Sequence, residues 1–421
     1  MGLRDSLIAD DMGCGKTIQA IGWLNMVGAR RPLIICPASL RINWRRELAK
    51  WAIWDPETTV ASYNEVQRGK LKGVKHDAAV FDEAHYLKTP DSGRTEQCLA
   101  LRVPRRLFLT GTPIANRPIE IWPLLRAMEP EVWGNRTDFG MTYCGGRWDG
   151  YEWNFTGSSN LVDLQRRLRS TLMVRRMKAA VLKDLPAKTR QLIELPAESA
   201  CKTVELLAAV RHIWKAQQSA LTPEAVARLR CDKEVVRAQL SKVRHEEALA
   251  KVPAICAHLR DLLESVEKIV VFAHHRDVIA AIVQGLDRAA WEDPSVVVQG
   301  GMSDREKQES VDHFQNDPAC RVLVGNIEAA GVGYTLTAAH TVVFAELDWV
   351  PGRMNQCEDR CHRIGQKDNV LVQHLVLDGS LDARISRALQ RKQAVIDQAL
   401  NGEAAPAELD WVATLAEPEK E

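Results

Sequence analysis

The sequence predicts an α/β protein built as two parallel-sheet lobes joined by a helical connector. Three observations carry that reading. Between Leu3 and about Thr189, short apolar runs alternate with segments of helical spacing such as Ile42 to Trp51. The runs Leu33-Ile34-Ile35-Cys36, Ala78-Ala79-Val80-Phe81 and Arg106-Leu107-Phe108-Leu109 close on Pro, Asp or Thr-Gly. Runs of this kind read as strands buried on both faces, and strands alternating with helices give a doubly wound parallel sheet. From 186 to 268 Ala, Leu, Glu, Lys and Arg dominate with almost no strand pattern, which reads as helix. The alternation then returns, with strands at Ile269-Val270-Val271-Phe272, Val296-Val297-Val298, Val322-Leu323-Val324, Val342-Val343-Phe344 and the run from Val370 to Val376. The expected division is 1–185 for the first lobe, 186–268 for the connector, 269–400 for the second lobe and 401–421 for a solvated tail with six acidic residues against one lysine.

A chain of 421 residues has room for two or three domain cores. With 46% hydrophobic and 26% charged residues it has the balance of a globular protein rather than a disordered one. A net charge of +1 means that any nucleic acid must be held in a local groove, not by a charged coat. No apolar run is long enough for a bilayer and no signal peptide opens the chain, so no membrane partner is expected. Ten cysteines scattered without a disulfide-like framework fit reduced thiols in an intracellular protein. Cys357, Cys361 and His362 lie close together, but zinc calls for a second, tighter pair that the sequence lacks.

The first chemical motif is Asp10-Asp11-Met12-Gly13-Cys14-Gly15-Lys16-Thr17, set between the short strand Asp5 to Ala9 and a helical run from Ile18 to Met26. That is the context of a phosphate loop. Glycines let the backbone wrap phosphates, and the amides at the helix start point at them. Lys16 bridges the β- and γ-phosphates in this reading, and Thr17 binds Mg²⁺. Asp10 stands where the strict pattern has glycine. The second motif, Asp82-Glu83-Ala84-His85, follows the apolar run ending at Phe81. Ligands in open α/β sheets sit beyond the carboxyl ends of strands, so Asp82 is placed to hold Mg²⁺ and Glu83 to polarise an attacking water. The third is Gln356-Cys357-Glu358-Asp359-Arg360-Cys361-His362-Arg363-Ile364-Gly365-Gln366. Arg360 and Arg363 are three apart in a helix-like stretch, share a face, and carry planar guanidinium groups suited to spread phosphate charge.

With these motifs in order, the chain resembles the Swi/Snf-type DNA-translocating ATPases of helicase superfamily two, and its HARP-like annealing-helicase branch most of all. The resemblance runs through nearly all of residues 3 to 395. Leu7 to Ala20 is similar to motif I, Cys36-Pro37-Ala38-Ser39-Leu40 through Trp44 to motif Ia, and Val80 to Lys88 to motif II. Leu109-Thr110-Gly111-Thr112-Pro113-Ile114 with Asn116 resembles motif III, and Met173-Val174-Arg175-Arg176 through Leu185-Pro186 the helical stretch after it. Val271 to His275, Gly331-Val332-Gly333-Tyr334-Thr335-Leu336-Thr337 and Phe344 to Gln366 resemble motifs IV, V and VI.

The resemblance implies two RecA-like lobes with ATP and Mg²⁺ between them, Gly13, Cys14, Gly15, Lys16, Thr17, Gly333 and Gln356 around the nucleotide, and Arg360 and Arg363 as arginine fingers. It implies ATP hydrolysis stimulated by DNA and tracking on duplex or branched DNA without processive strand separation. Grip on a phosphate backbone carries no sequence information, which lets a motor step over any sequence. Candidate backbone contacts are Ser39, Ser62, Tyr63 and Thr110 in the first lobe, and Gly300, Gly301, Gly331, Thr335 and Trp349 in the second. A buried packing role is the competing reading for Tyr63 and Trp349. Nine residues precede Asp10, where the family carries a segment with an adenine-reading glutamine, so the expectation is either a start placed too late or weak adenine recognition. The alternatives are a motor subunit of a larger defence, restriction or repair complex, and a DNA-binding regulator that has lost catalysis. A monomer is expected.

Overall fold

The computed structural model describes residues 5–53, 57–71, 73–114, 116–148, 153–195, 223–287, 295–331, 333–377, 380, 382 and 400, without the side chains of 223–234, 236 and 237. The chain divides into two compact units. The first holds 1–144, 160–185 and 396–403, and the second 145–159, 186–395 and 404–421. The acidic tail expected over 401–421 lies outside the described residues.

The first unit is built on a parallel sheet of β1 (Asp5–Ile8), β2 (Pro32–Cys36), β3 (Thr59–Ser62), β4 (Ala78–Asp82), β5 (Arg106–Leu109) and, after the small hairpin β6 (Arg147–Trp148) and β7 (Trp153–Asn154) of the second unit, β8 (Met173–Val174). Its order is β3-β2-β4-β5-β1-β8. The expected strands form because they are apolar throughout. All residues of β2 are buried, and Phe81 of β4 stacks on Phe108 of β5 at 4.8 Å between ring centroids. Helices Lys16–Val27 and Arg41–Trp51 supply the crossovers after β1 and β2. Met173 and Val174, read as part of a helical stretch, instead extend the sheet beside β1. Two β-favouring residues suffice there because β1 offers a free edge. Register aligns the functional ends. Ile8 pairs with Leu109 and Leu109 with Asp82, so the carboxyl ends of β1, β5 and β4 stand in one row.

The second unit carries β9 (Lys188–Leu195), β10 (Ile269–Ala273), β11 (Ser295–Val298), β12 (Val322–Asn326), β13 (Thr341–Phe344) and β14 (Val370–Leu377). They form a parallel sheet in the order β11-β12-β10-β13-β14-β9. One face packs on helix Val252–Ser265 through Ile255, Leu259 and Leu263. The other packs on Met354, Cys357 and Cys361 of helix Pro351–Cys361. Both cysteines are core residues with free thiols, and among the described residues no group of three or more His, Cys, Asp and Glu side chains is placed to hold a metal ion.

The span 186–268 is not helical throughout. Helices Pro223–Ala250 and Val252–Ser265 are present, but Lys188–Leu195 is an edge strand registered against all of β14. It escapes an apolar-run search because an edge strand keeps polar residues, here Lys188, Arg190 and Gln191, without penalty.

Candidate nucleotide site and arginine helix

From Ile8 the chain turns into helix Lys16–Val27. Gly13 and Gly15 adopt φ of 82° and 76°, a left-handed backbone that residues with a Cβ rarely enter. A Cβ at Gly15 would meet nothing within 4 Å, so the backbone angle, not crowding, demands glycine. The turn brings the first amides of the helix, at Lys16 and Thr17, to its rim. Lys16 Nζ donates to the carbonyls of Asp10 (2.8 Å) and Asp11 (2.9 Å). Burial pushes its pKa down, against the opposing charges of Glu83 and Asp82. Cys14 lies partly exposed in the loop, its thiol pKa raised by burial and held back by Lys16.

Asp10 earns its departure from glycine by anchoring the loop. It is fully buried and accepts from the Arg176 guanidinium (Nη2 to Oδ2, 2.6 Å; Nε to Oδ2, 3.0 Å), the Arg176 amide (2.8 Å) and Gln19 (3.0 Å). Next door, Arg175 donates to the Ala9 carbonyl at 2.7 Å and to Asp11 at 3.2 Å, and Asp11 also accepts from the Lys178 amide. Nothing in the sequence alone gives Arg175 and Arg176 this role. Their partners lie more than 160 residues away, and only the pairing of β8 with β1 brings them together.

At the end of β4, Asp82 accepts from Trp44 Nε1 (2.8 Å) and from the Glu83 amide (3.0 Å). Burial raises its carboxyl pKa well above the ordinary range and the Glu83 charge adds to that, while the Trp44 hydrogen bond and Lys16 act in the other direction. Glu83 sits at φ 53°, a left-handed conformation unusual for a residue with a side chain. Its Oε2 is 3.3 Å from His85 Nδ1, which lies 3.0 Å from Thr110 Oγ1 and 3.4 Å from Thr112 Oγ1. His85 therefore joins the Glu83 carboxylate to the loop after β5. A Cβ at Gly111 in that loop would stand 2.6 Å from Met12 Cγ and 3.3 Å from Lys16 Nζ, so the loop closes directly over the lysine.

The expected backbone contacts separate into two groups. Thr110 is fully buried with its hydroxyl on His85. Ser62 Oγ caps helix Tyr63–Gln67 in a reciprocal pair with Glu65. Tyr63 is buried, donates its hydroxyl to the Asp82 carbonyl at 2.8 Å and stacks on Tyr86. These three side chains are engaged within the fold, which for Tyr63 is the packing role weighed above. Gly331 also has an internal reason to be glycine, since a Cβ there would lie 2.4 Å from the Ile327 carbonyl oxygen and 3.0 Å from Cys357 Sγ. Trp349 packs partly buried against the core. Ser39 remains partly exposed and Thr335 exposed. Gly300 and Gly301 lie against the exposed guanidinium of Arg276, which a Cβ at Gly300 would approach to 3.1 Å.

In the second unit, Arg360 and Arg363 converge on one acceptor, the Tyr334 carbonyl, at 3.5 and 3.3 Å. Arg360, 8% exposed, also donates to the Gln356 carbonyl at 3.1 Å. Gly333, beside that acceptor, has φ 93°, and Gln356 is buried in the same helix.

At the ends of β13 and β10 the buried Glu346 accepts from the amides of His274 (2.8 Å) and His275 (2.9 Å) and lies 2.7 Å from His275 Nδ1. Burial favours its neutral form, but the His275 and amide hydrogen bonds outweigh that and hold its pKa at about 2. A depressed carboxylate contributes stability that is present above its ordinary value of 4.5 and lost as pH falls toward 2. Thermal melts between pH 5 and 3 are expected to show a steeper loss of Tm for the wild type than for Glu346→Gln; parallel slopes would reject this account.

A parallel sheet whose β1 feeds a glycine turn and a lysine-led helix, with two carboxylates ending a nearby strand, defines the P-loop nucleotide-binding class. The comparisons narrow it. The SNF2-related domain family matches residues 2–76 and 53–220, and the helicase conserved C-terminal domain matches 250–365. The chain belongs to the SNF2-related family.

It is 34% identical over 434 residues to the DNA annealing helicase and endonuclease ZRANB3 of Homo sapiens, covering 94% of this chain and 39% of that protein. It is 34% identical over 433 residues to the SWI/SNF-related matrix-associated actin-dependent regulator of chromatin subfamily A-like protein 1 of Xenopus tropicalis, covering 94% and 43%. The chain thus spans about two fifths of these relatives' length. The Sulfolobus solfataricus SWI2/SNF2 ATPase core in complex with dsDNA aligns at 24% identity with a TM-score of 0.40, covering 94% of this chain and 89% of that one.

Proposed function

We propose that this chain is a DNA-dependent ATPase that translocates on duplex DNA and remodels or anneals it without processive unwinding. The observation that carries the reading is the convergence of Lys16, Gly111 and the Asp82-Glu83 pair at the carboxyl ends of adjacent strands, with a Cβ at Gly111 falling 3.3 Å from Lys16 Nζ. This donor set fits a nucleoside triphosphate with Mg²⁺. Lys16 and the amides at the start of its helix hold the phosphates, and Thr17 and Asp82 hold the metal. The ion, when bound, neutralises charge on the phosphate oxygens. Glu83 orients the attacking water, and His85 relays the state of that carboxylate to Thr110 and Thr112. Arg360 and Arg363 stabilise the charge of the transferring phosphoryl group. Ser39, Gly300, Gly301 and Thr335 are the remaining candidates for contact with the DNA backbone. The name of the human relative supports annealing as the outcome of translocation.

Phosphate release measured with no DNA, single strands and duplex tests the reading. Duplex is expected to stimulate turnover, and rewinding of an open plasmid bubble is expected to need ATP. Absence of DNA-stimulated release from a well-folded sample, equal to a Lys16→Ala control, would defeat it. The fall of DNA affinity with salt is expected to be linear on logarithmic axes, losing about 10³-fold or more between 50 and 200 mM if six or more phosphates are contacted. A flat response would reject the backbone grip.

A further inference from the structure

We infer that Lys188 and Arg190 of β9 are positioning residues for the arginine pair and act through the buried carboxylate of Glu358. The inference rests on the proposed role of Arg360 and Arg363 and deepens it.

Strand side chains alternate, so Lys188 and Arg190 project from the same face of β9. Both reach helix Pro351–Cys361. Lys188 Nζ lies 2.7 Å from Glu358 Oε2 and 3.1 Å from Asp359 Oδ1. Arg190 clasps Glu358 with a two-pronged pair, Nε to Oε1 at 2.8 Å and Nη2 to Oε2 at 2.6 Å, and reaches Asn355 Oδ1 at 2.9 Å. At the mouth of the strand His362 Nε2 lies 2.7 Å from the Pro186 carbonyl oxygen. The helix is therefore fastened to this strand at 355, 358 and 359, and His362 just past the helix meets Pro186 just before the strand.

Glu358 is 1% exposed. A buried carboxylate between two cations is a poor device for stability alone, because apolar packing of the same volume does as well or better. What it supplies is orientation, since a guanidinium-carboxylate fork fixes both distance and angle. Two residues along an α-helix turn it by about 200°, so Glu358 and Arg360 leave the helix on nearly opposite sides. Fixing Glu358 to β9 sets the rotation of the helix, and that rotation aims Arg360, and Arg363 beyond it, at the Tyr334 carbonyl. The strand is also where the chain arrives from the first unit. Leu185 is the last residue of that stretch of the unit, and Pro186 and Ala187 alone separate it from Lys188. Any pull on the linking chain reaches the arginines through the Lys188 and Arg190 contacts.

Steady-state ATPase kinetics of the full chain with saturating duplex tests this. Arg190→Ala is expected to lower kcat by about 10²-fold, the effect of a small misplacement of a catalytic group. KM for ATP and affinity for DNA are expected to hold within about twofold if orientation alone is lost. Arg190→Lys, which keeps the charge and loses the fork, is expected to fall between the two, and it is read by the same criteria where Arg190→Ala melts below the assay temperature. The double variant Arg190→Ala/Arg363→Ala is expected to lose less than the product of the two single defects, since Arg190 acts in part through Arg363. A lowered Tm with unchanged kcat, a parallel loss of kcat, KM and DNA binding, or multiplying defects in the double variant would overturn the inference. If Arg363→Ala itself keeps full turnover, the arginine-finger reading fails. If Arg363→Ala is crippled and Arg190→Ala is not, only the positioning role fails.

Discussion

Arg363→Ala is expected to lower DNA-stimulated turnover by about 10³–10⁵-fold, the usual contribution of an arginine finger, while ATP binding stays within a few-fold. The contrast between turnover and binding follows from chemistry. A guanidinium that meets charge developing during phosphoryl transfer acts on the barrier more than on the ground state. Arg363 is the cleaner site for this test than Arg360. Arg360 is nearly buried and donates to the Gln356 carbonyl of its own helix, so its removal is expected to cost stability as well as rate. Single-turnover phosphate release paired with titration of a fluorescent ATP analogue separates the two effects. Loss of ATP affinity at Arg363 with the chemical step unchanged would make the arginine a binding residue and sink the finger role.

Lys16→Ala is expected to lower turnover by about 10²–10³-fold, as for removal of one electrostatic donor at a reacting centre, and to weaken ATP binding with it. Both parameters move because the ammonium meets phosphate charge in the ground state and in the transition state alike. The variant is not expected to unfold. Burial lowers the pKa of Lys16 and so disfavours its charged form, while its hydrogen bonds to the Asp10 and Asp11 carbonyls act the other way, so Tm is expected to change little. Wild-type phosphate release from Lys16→Ala would take the phosphate loop out of the mechanism.

Most strands of both sheets were legible because each is buried along its whole length and carries a run of three or more apolar residues, as in β2, β4, β10 and β13. The strands that escaped carry different signals. β3 is four residues long with Thr59 and Ser62 at its ends, β8 is two residues long, and β9 spreads Lys188, Arg190 and Gln191 along an edge where polarity is tolerated. The phosphate loop was legible for a related reason: glycines, lysine and threonine act within one turn, so spacing alone encodes them. Its anchors were not. Asp10 meets Arg176, and Glu358 meets Lys188 and Arg190, only once the sheets have formed. The contacts that Ser62, Tyr63 and Thr110 make within the fold were not legible, because a sequence does not show which polar groups the fold itself will need. A helix cap, a strand-end carbonyl and His85 had already taken them.

Among the eight described cysteines, seven are buried and one, Cys14, is not. Of those eight, Cys14 is the thiol that an external alkylating reagent meets first, and its raised pKa places efficient labelling on the alkaline side. A fluorophore or spin label attached there would report from within the glycine turn that receives the phosphates, without any engineered cysteine.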